Sequence, residues 1–281
     1  FDSLWLGEHV VGAGPILDCL TTLAMFAART RWAKIGTSVL IPALRHPVLL
    51  AKQLATLDYL SEGRLLLAFG VGSEVAADYA ACEIPLEQRG RRLDEAMEIM
   101  RLLWTQDHVT YEGRIYHVND VTLDPKPARP GGPPMWIGGR SEAALRRTGR
   151  LSDGWLASFV TPQEFSSDLD KVMAYAAEAG RTFERDEAGI ILLTCIAERG
   201  SEAYERAVAY LAASRRRTVD EVMARSLIGP ADACVARLQE YVAVGVDKFI
   251  LRPLCLPSEL IAQLARIREH IVPHFPVPVP V

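Results

Sequence analysis

Short apolar runs alternate with amphipathic stretches along the whole chain, and this alternation limits the folds open to it. "SLWLG", "WAKIGTSVL", "RLLLAFGVG", "PMWIGG", "DGWLASF", "GIILLTCIA" and "DKFILRPL" are the apolar runs. They lack the in–out alternation of a half-exposed strand. Strands of that kind are covered on both faces, so they belong in a parallel sheet under helices. Helical spacing follows each run. Leu20, Leu23 and Ala27 share a stripe, as do Leu50, Leu54 and Leu57, and Leu93, Met97, Met100 and Trp104. Asp18 and Thr161 stand where N-caps belong, Pro47 suits a first helical turn, and Gly63 follows a stop.

Seven β–α units are visible in the 281 residues. A (β/α)8 TIM-type barrel accounts for them, and a doubly wound sheet of seven strands fits the same pattern. One segment breaks the rhythm. Residues 109–127, "VTYEGRIYHVNDVTLDPKP", alternate and carry Glu112-Gly113 at their middle, so they predict a β-hairpin insertion. The tail at 273–281 is too rich in proline to extend the last helix. The expected organisation is one barrel domain over 1–281.

Composition removes several functional classes. A net charge of −4, with "RRR" at 215–217 as the one short basic run, argues against a nucleic-acid partner. No stretch reaches the length of an apolar membrane span, and nothing reads as a signal peptide. The five cysteines are scattered, without a CxxC pair, which fits a reducing, cytoplasmic setting. No His/Cys/Asp/Glu cluster has metal-ligand spacing, so no metal site is expected.

Candidate chemistry lies at the C-terminal ends of the apolar runs, the face on which barrel enzymes build their sites. His9 ends the first run. A neutral imidazole there can hydrogen-bond a cofactor or pass a proton, or it can simply bond a carbonyl. Glu8 beside it is a possible acid, or one paired to a basic side chain. "GTSVL" offers Ser38 and Val39 where small residues let a flat ring approach the backbone; tight packing would demand the same residues. "AFGVGSE" places Gly70 and Gly72 ahead of Glu74, without the third glycine of a dinucleotide fingerprint. In "WIGGRSEAAL", Gly138, Gly139, Arg140 and Ser141 can hold a phosphate through backbone N–H groups at a helix start. A glycine turn with a serine N-cap explains the same residues.

"RHPVLLAKQLATLDYLSEGRLLLAFGVG", "RGRRLDEAMEIMRLLW", "YEGRIYHVNDVTLDPKP" and "PMWIGGRSEAALRRTGRLSDGWL" together resemble the bacterial luciferase-like monooxygenase family, and within it the F420-dependent oxidoreductase branch. The resemblance implies a (β/α)8 barrel, often dimeric, in which "SLWLGEHV" is the second strand and the first β–α unit is absent. It implies an oxidoreductase that uses the deazaflavin F420 to move a hydride to or from a small organic substrate. FMN is the alternative cofactor, with oxygen inserted through a peroxyflavin. A non-catalytic flavin-binding or structural member is a third possibility. His9 matches the residue that contacts the cofactor ring and acts in catalysis. Glu8-His9 replaces the family's Asp-His pair, "TSV" matches a segment with a non-proline cis peptide, and Glu74 falls near the family's proposed acid. The Asn-Glu pair common in the sugar-phosphate subgroup is missing, its place taken by "VAADY". The ring is expected over Ser38-Val39 near His9, with the phosphate-bearing tail toward Gly138, Gly139 and Ser141. A homodimer is expected.

Overall fold

The computed structural model describes residues 1–11, 16–72 and 76–275. They form two compact units: one spans residues 2–139 and 146–155, the other Phe1, 140–145 and the chain from Leu156 onward.

The first unit begins with β1 (Ser3–Leu6), α1 (Cys19–Arg29), β2 (Lys34–Thr37), α2 (Pro47–Leu60) and β3 (Leu65–Phe69). Then come a short α3 (Ala76–Ala81), α4 (Arg89–Thr105), the hairpin strands β4 (Val109–Glu112) and β5 (His117–Val121), and β6 (Met135–Gly138). Helix α5 (Glu142–Leu151) and strand β7 (Gly154–Ser158) each begin in one unit and end in the other. Here β1 pairs with β2, β2 with β3 and β3 with β6, all parallel and in chain order. That order has no reversal point, which sets aside the doubly wound alternative for this unit. The class is the one expected: an α/β fold of the (β/α)8 type with an inserted hairpin.

The caps form as read. Asp18 accepts from the Thr21 N–H at 2.8 Å, Pro47 opens α2, and Gly63 takes a φ of +76° after its end. Leu50, Leu54 and Leu57 of α2 are buried against Leu93, Met97, Met100 and Trp104 of α4 in one core.

Large and small residues alternate across neighbouring strands. Trp5 and Gly36 are register partners, and a β-carbon at Gly36 would overlap the Trp5 indole. Gly154 lies in the same way against the Trp136 ring. A tryptophan can fold flat over a strand only where its neighbour has no side chain.

The hairpin β4–β5 is antiparallel and is moored by one carboxylate. Glu95 of α4 is buried and accepts from the backbone N–H groups of Arg114, Ile115 and Tyr116 at 3.0, 3.1 and 3.0 Å. A β-carbon at Gly113 would strike that carboxylate, so the turn needs glycine there. Arg64 is a second polar anchor. It donates to the carbonyls of Ser61, Ala33, Ala27 and Thr30 and to the Thr30 hydroxyl, which ties down the C-terminal end of α1.

The second unit contains α6 (Pro162–Glu178), β8 (Ala188–Ile196), α7 (Glu202–Arg215), a short α8 (Val219–Met223), β9 (Leu227–Gly229), α9 (Ala231–Ala243), β10 (Lys248–Pro253) and α10 (Leu260–His270). Thr161 and Glu164 close a capping box at the start of α6. Strand β8 pairs in parallel with β10 and with β9. The three residues of β9 and the short helices α3 and α8 were not legible as elements in the sequence, because so few residues carry no period. Among the described residues, no helix is long and apolar enough to cross a membrane. Residues 276–281 of the tail lie outside the described residues.

Replacing Glu95 by Ala orphans three backbone donors and should lower stability by about 2 kcal/mol. Urea unfolding followed by circular dichroism measures this, and proteolysis should move to the 109–121 hairpin.

Candidate functional site

The ends of four neighbouring parallel strands in the first unit converge on one region. Beyond β1, the Ser38 N–H donates to the Leu6 carbonyl at 2.8 Å and the Glu8 N–H to that of Val39 at 3.1 Å. Beyond β2, the Leu40 N–H donates to Ala68 at 2.9 Å, and the Gly70 N–H donates back to Leu40 at 2.9 Å. The buried Thr37 hydroxyl donates to the Ala68 carbonyl and accepts from the Ala68 N–H, both at 2.8 Å. Phe69 pairs with Ile137, so Gly138, the last residue of β6, lies alongside Gly70. Glu8, His9, Ser38, Val39, Gly70, Gly138 and Gly139 are thereby brought to the same strand ends. The Ser38–Val39 peptide is cis, as the resemblance implied.

Glu8 is not a solvated acid. It is 5% exposed. Its Oε2 accepts from the Ile41 N–H at 2.7 Å and from Arg45 Nη1 at 3.1 Å, while Arg45 Nη2 reaches Oε1. Burial opposes the charge on Arg45, but the Glu8 carboxylate more than offsets it, and the guanidinium is held more firmly protonated than usual. Nearby Cys19 is pushed up to about 12, first by burial and then by the Glu8 and Asp18 charges, so it remains a thiol.

His9 is partly exposed, and its Nδ1 lies 3.0 Å from Oδ2 of Asp78 on α3. The Asp78 side chain is almost wholly buried, and its Oδ1 accepts from the backbone N–H groups of Val10 and Val11 at 2.8 Å each. Burial alone would raise the Asp78 pKa. The hydrogen bonds from Val11, His9 and Val10 outweigh it and hold the carboxyl below its ordinary value. Sequence reasoning missed both Asp78 and Arg45. The available signal for Asp78 was a second acid four positions after Glu74 in the sequence. Glu74 itself lies outside the described residues.

Gly70 and Gly72 have packing reasons of their own. A β-carbon at Gly70 would come within 2.5 Å of a Val39 methyl, and one at Gly72 within 2.7 Å of Ile41. Gly72 also has a φ of +56°. At the end of β6, Gly139 has a φ of +131°, and its carbonyl accepts from the Trp155 indole N–H at 2.7 Å.

Arg140 and Ser141 belong to the second unit. The Ser141 Oγ accepts from the Ala144 N–H at 3.3 Å, the geometry of an N-cap on α5. Arg140 donates to the Phe159 carbonyl at 2.7 Å and stacks on the Phe159 ring, as does Arg215, each guanidinium 5.3 Å from the ring centre. Beside them lies a half-open cavity of about 260 Å³ lined by Arg140, Phe159, Glu164, Asp168, Arg217 and Arg225. Glu164 accepts from Arg225 at 2.6 and 3.1 Å.

Residues 1–248 match the model of the family described as luciferase-like monooxygenase. An F420-dependent glucose-6-phosphate dehydrogenase of Microbacterium testaceum is 34% identical over 200 residues, which are 68% of this chain and 58% of that protein. One from Nakamurella multipartita is 35% identical over 170 residues, 56% of this chain and 48% of that protein. The chain thus spans about half the length of the curated relatives it matches. Among solved structures, monooxygenase RslO1 from Streptomyces bottropensis superposes with a TM-score of 0.82 at 25% identity, covering 98% of this chain and 89% of that one. The F420-dependent tetrahydromethanopterin reductase of Methanopyrus kandleri shares the fold with a TM-score of 0.80 at 20% identity, covering 98% and 92%.

Two outcomes follow. Arg45→Leu leaves the buried Glu8 charge uncompensated and should cost about 3 kcal/mol in chemical unfolding. Asp78, with its lowered folded pKa, stabilises the chain fully above the ordinary carboxylate range. That contribution is lost as pH falls through the folded pKa. The stability gap between wild type and Asp78→Ala should therefore be widest near neutrality and narrow below pH ~4 in thermal melts.

Proposed function

The chain belongs to the luciferase-like monooxygenase family, and from that premise we propose that it is an oxidoreductase binding F420 at the strand ends of its first unit. The carrying observation is His9, a partly exposed imidazole held by a buried carboxylate at the C-terminal end of β1. Such a group can exchange a proton with a bound molecule. The residues present suit a flat ring. Ser38 and Val39 are half-buried, Gly138 and Gly139 carry no side chains, and the carboxylate of Glu8, whose backbone N–H bonds Val39, is already paired with Arg45. F420 bound there supplies a ring that gives or takes a hydride. His9 holds or moves the accompanying proton at its Nε2. Ser38, Val39, Gly70, Gly72, Gly138 and Gly139 would hold the cofactor, and Glu8 fixes the Val39–Ile41 segment through Ile41 and Arg45. Glu74 is kept as a second proton donor.

Arg140 and Ser141 offer a cation and a helix start suited to an anionic group. The names of the curated relatives support F420 over FMN. The 25% identity to monooxygenase RslO1 supports a second reading, a monooxygenase, for which the family resemblance implies FMN. The substrate is a small organic molecule. We propose a homodimer, as the family resemblance implies, and a cytoplasmic location, which the scattered cysteines favour.

Parallel fluorescence titrations with F420 and FMN test the reading. Micromolar F420 binding with weaker FMN binding is expected, and FMN binding without F420 binding overturns the preference. His9→Ala should stay folded and retain F420 binding. Across a panel of alcohols and sugar phosphates assayed with F420, it should lower turnover roughly 100-fold. Near-full turnover would make His9 a wall residue.

A further inference from the structure

We infer that Asp78 is a positioning residue for His9, holding the imidazole with its proton on Nδ1 and leaving Nε2 as the atom that exchanges a proton with a bound ligand. The argument starts from donors and acceptors. Oδ1 of Asp78 is occupied by two backbone N–H groups at 2.8 Å, which fix the plane of the carboxylate. Oδ2 is thereby set against Nδ1 of His9 at 3.0 Å. An ionised carboxylate only accepts, so Nδ1 must carry the hydrogen, and in the neutral ring the lone pair stands on Nε2. The downward shift of the Asp78 carboxyl agrees with an ionised group. When Nε2 takes a proton, the buried carboxylate faces the resulting imidazolium and stabilises it.

The two partners come from distant parts of the chain, 69 residues apart. Nothing about strand β1 needs this bond, because its pairing with β2 runs through Ser3 to Leu6. Val10 and Val11 are also held, so Asp78 fixes both the ring and the backbone that carries it.

Asp78→Asn separates these two roles. The amide oxygen can still accept from Val10 and Val11, while the amide N–H₂ now faces Nδ1 and demands the opposite tautomer. The readout is the imidazole region of two-bond ¹H–¹⁵N correlation spectra of the labelled chain without cofactor, at pH ~8 where an ordinary imidazole is neutral. His9 is assigned by the signal missing in His9→Gln. Wild type should show the Nδ1–H form and Asp78→Asn the Nε2–H form. The opposite tautomer in wild type overturns the inference, and so does an unchanged tautomer in the variant. If the variant does not fold, the wild-type spectrum alone decides.

The kinetic consequence rests on the oxidoreductase reading. Asp78→Asn should lower kcat about 100-fold or more, with cofactor affinity within about threefold of wild type, and should add nothing in a His9→Gln background. Loss of cofactor affinity instead would mark Asp78 as pocket scaffold and overturn the positioning role. If wild type binds neither F420 nor FMN, the proposed function falls while the spectra still judge the tautomer.

Discussion

Glu8 is a buried charge, and the strand ends around it are arranged to tolerate it. A carboxylate taken out of water is costly unless each oxygen finds a donor. The Arg45 fork and the Ile41 N–H provide those donors, and both come from the segment between β2 and α2. One ion pair therefore ties the end of β1 to the entry of α2. Tyr116 extends the tie, since its ring lies under Arg92 at 5.5 Å and edge-on to His46. The hairpin, the α2 entry and the β1 end thus share a continuous polar framework. His9 is the next residue after Glu8, so its position inherits that framework.

The first unit holds two kinds of buried carboxylate. Glu8 and Glu95 hold backbone and, for Glu8, a permanent cation. Asp78 holds backbone and an imidazole. Burial alone does not mark a carboxylate as functional; the identity of its partner does.

Much of the fold was legible because burial on two faces leaves a plain mark. "RLLLAF" has no polar position to spare, and Leu50, Leu54 and Leu57 fall on one helical face. Short elements left no such mark: β9 has three residues and α3 six. Part of the site was equally legible. The strand-end positions of His9, Ser38 and Gly138 follow from where each apolar run stops. The partners were not, since Asp78 sits 69 residues from His9 and Arg45 37 from Glu8. An acid in "AADYAA" reads as a solvated helix residue, and only the fold turns it inward. Gly70 and Gly72 carry the converse lesson: their missing β-carbons answer to Val39 and Ile41, whatever else lies nearby.

The tryptophan–glycine contacts between neighbouring strands constrain how such a sequence can drift. Gly36 cannot acquire even a methyl group while Trp5 lies across it, and Gly154 is bound in the same way to Trp136. Neither glycine is free to vary while its indole stays. A lineage that loses the indole relaxes its partner, and one that gains a side chain at the glycine must first shrink the ring. The order of change is fixed in each pair, and homologues should not carry the tryptophan without its glycine.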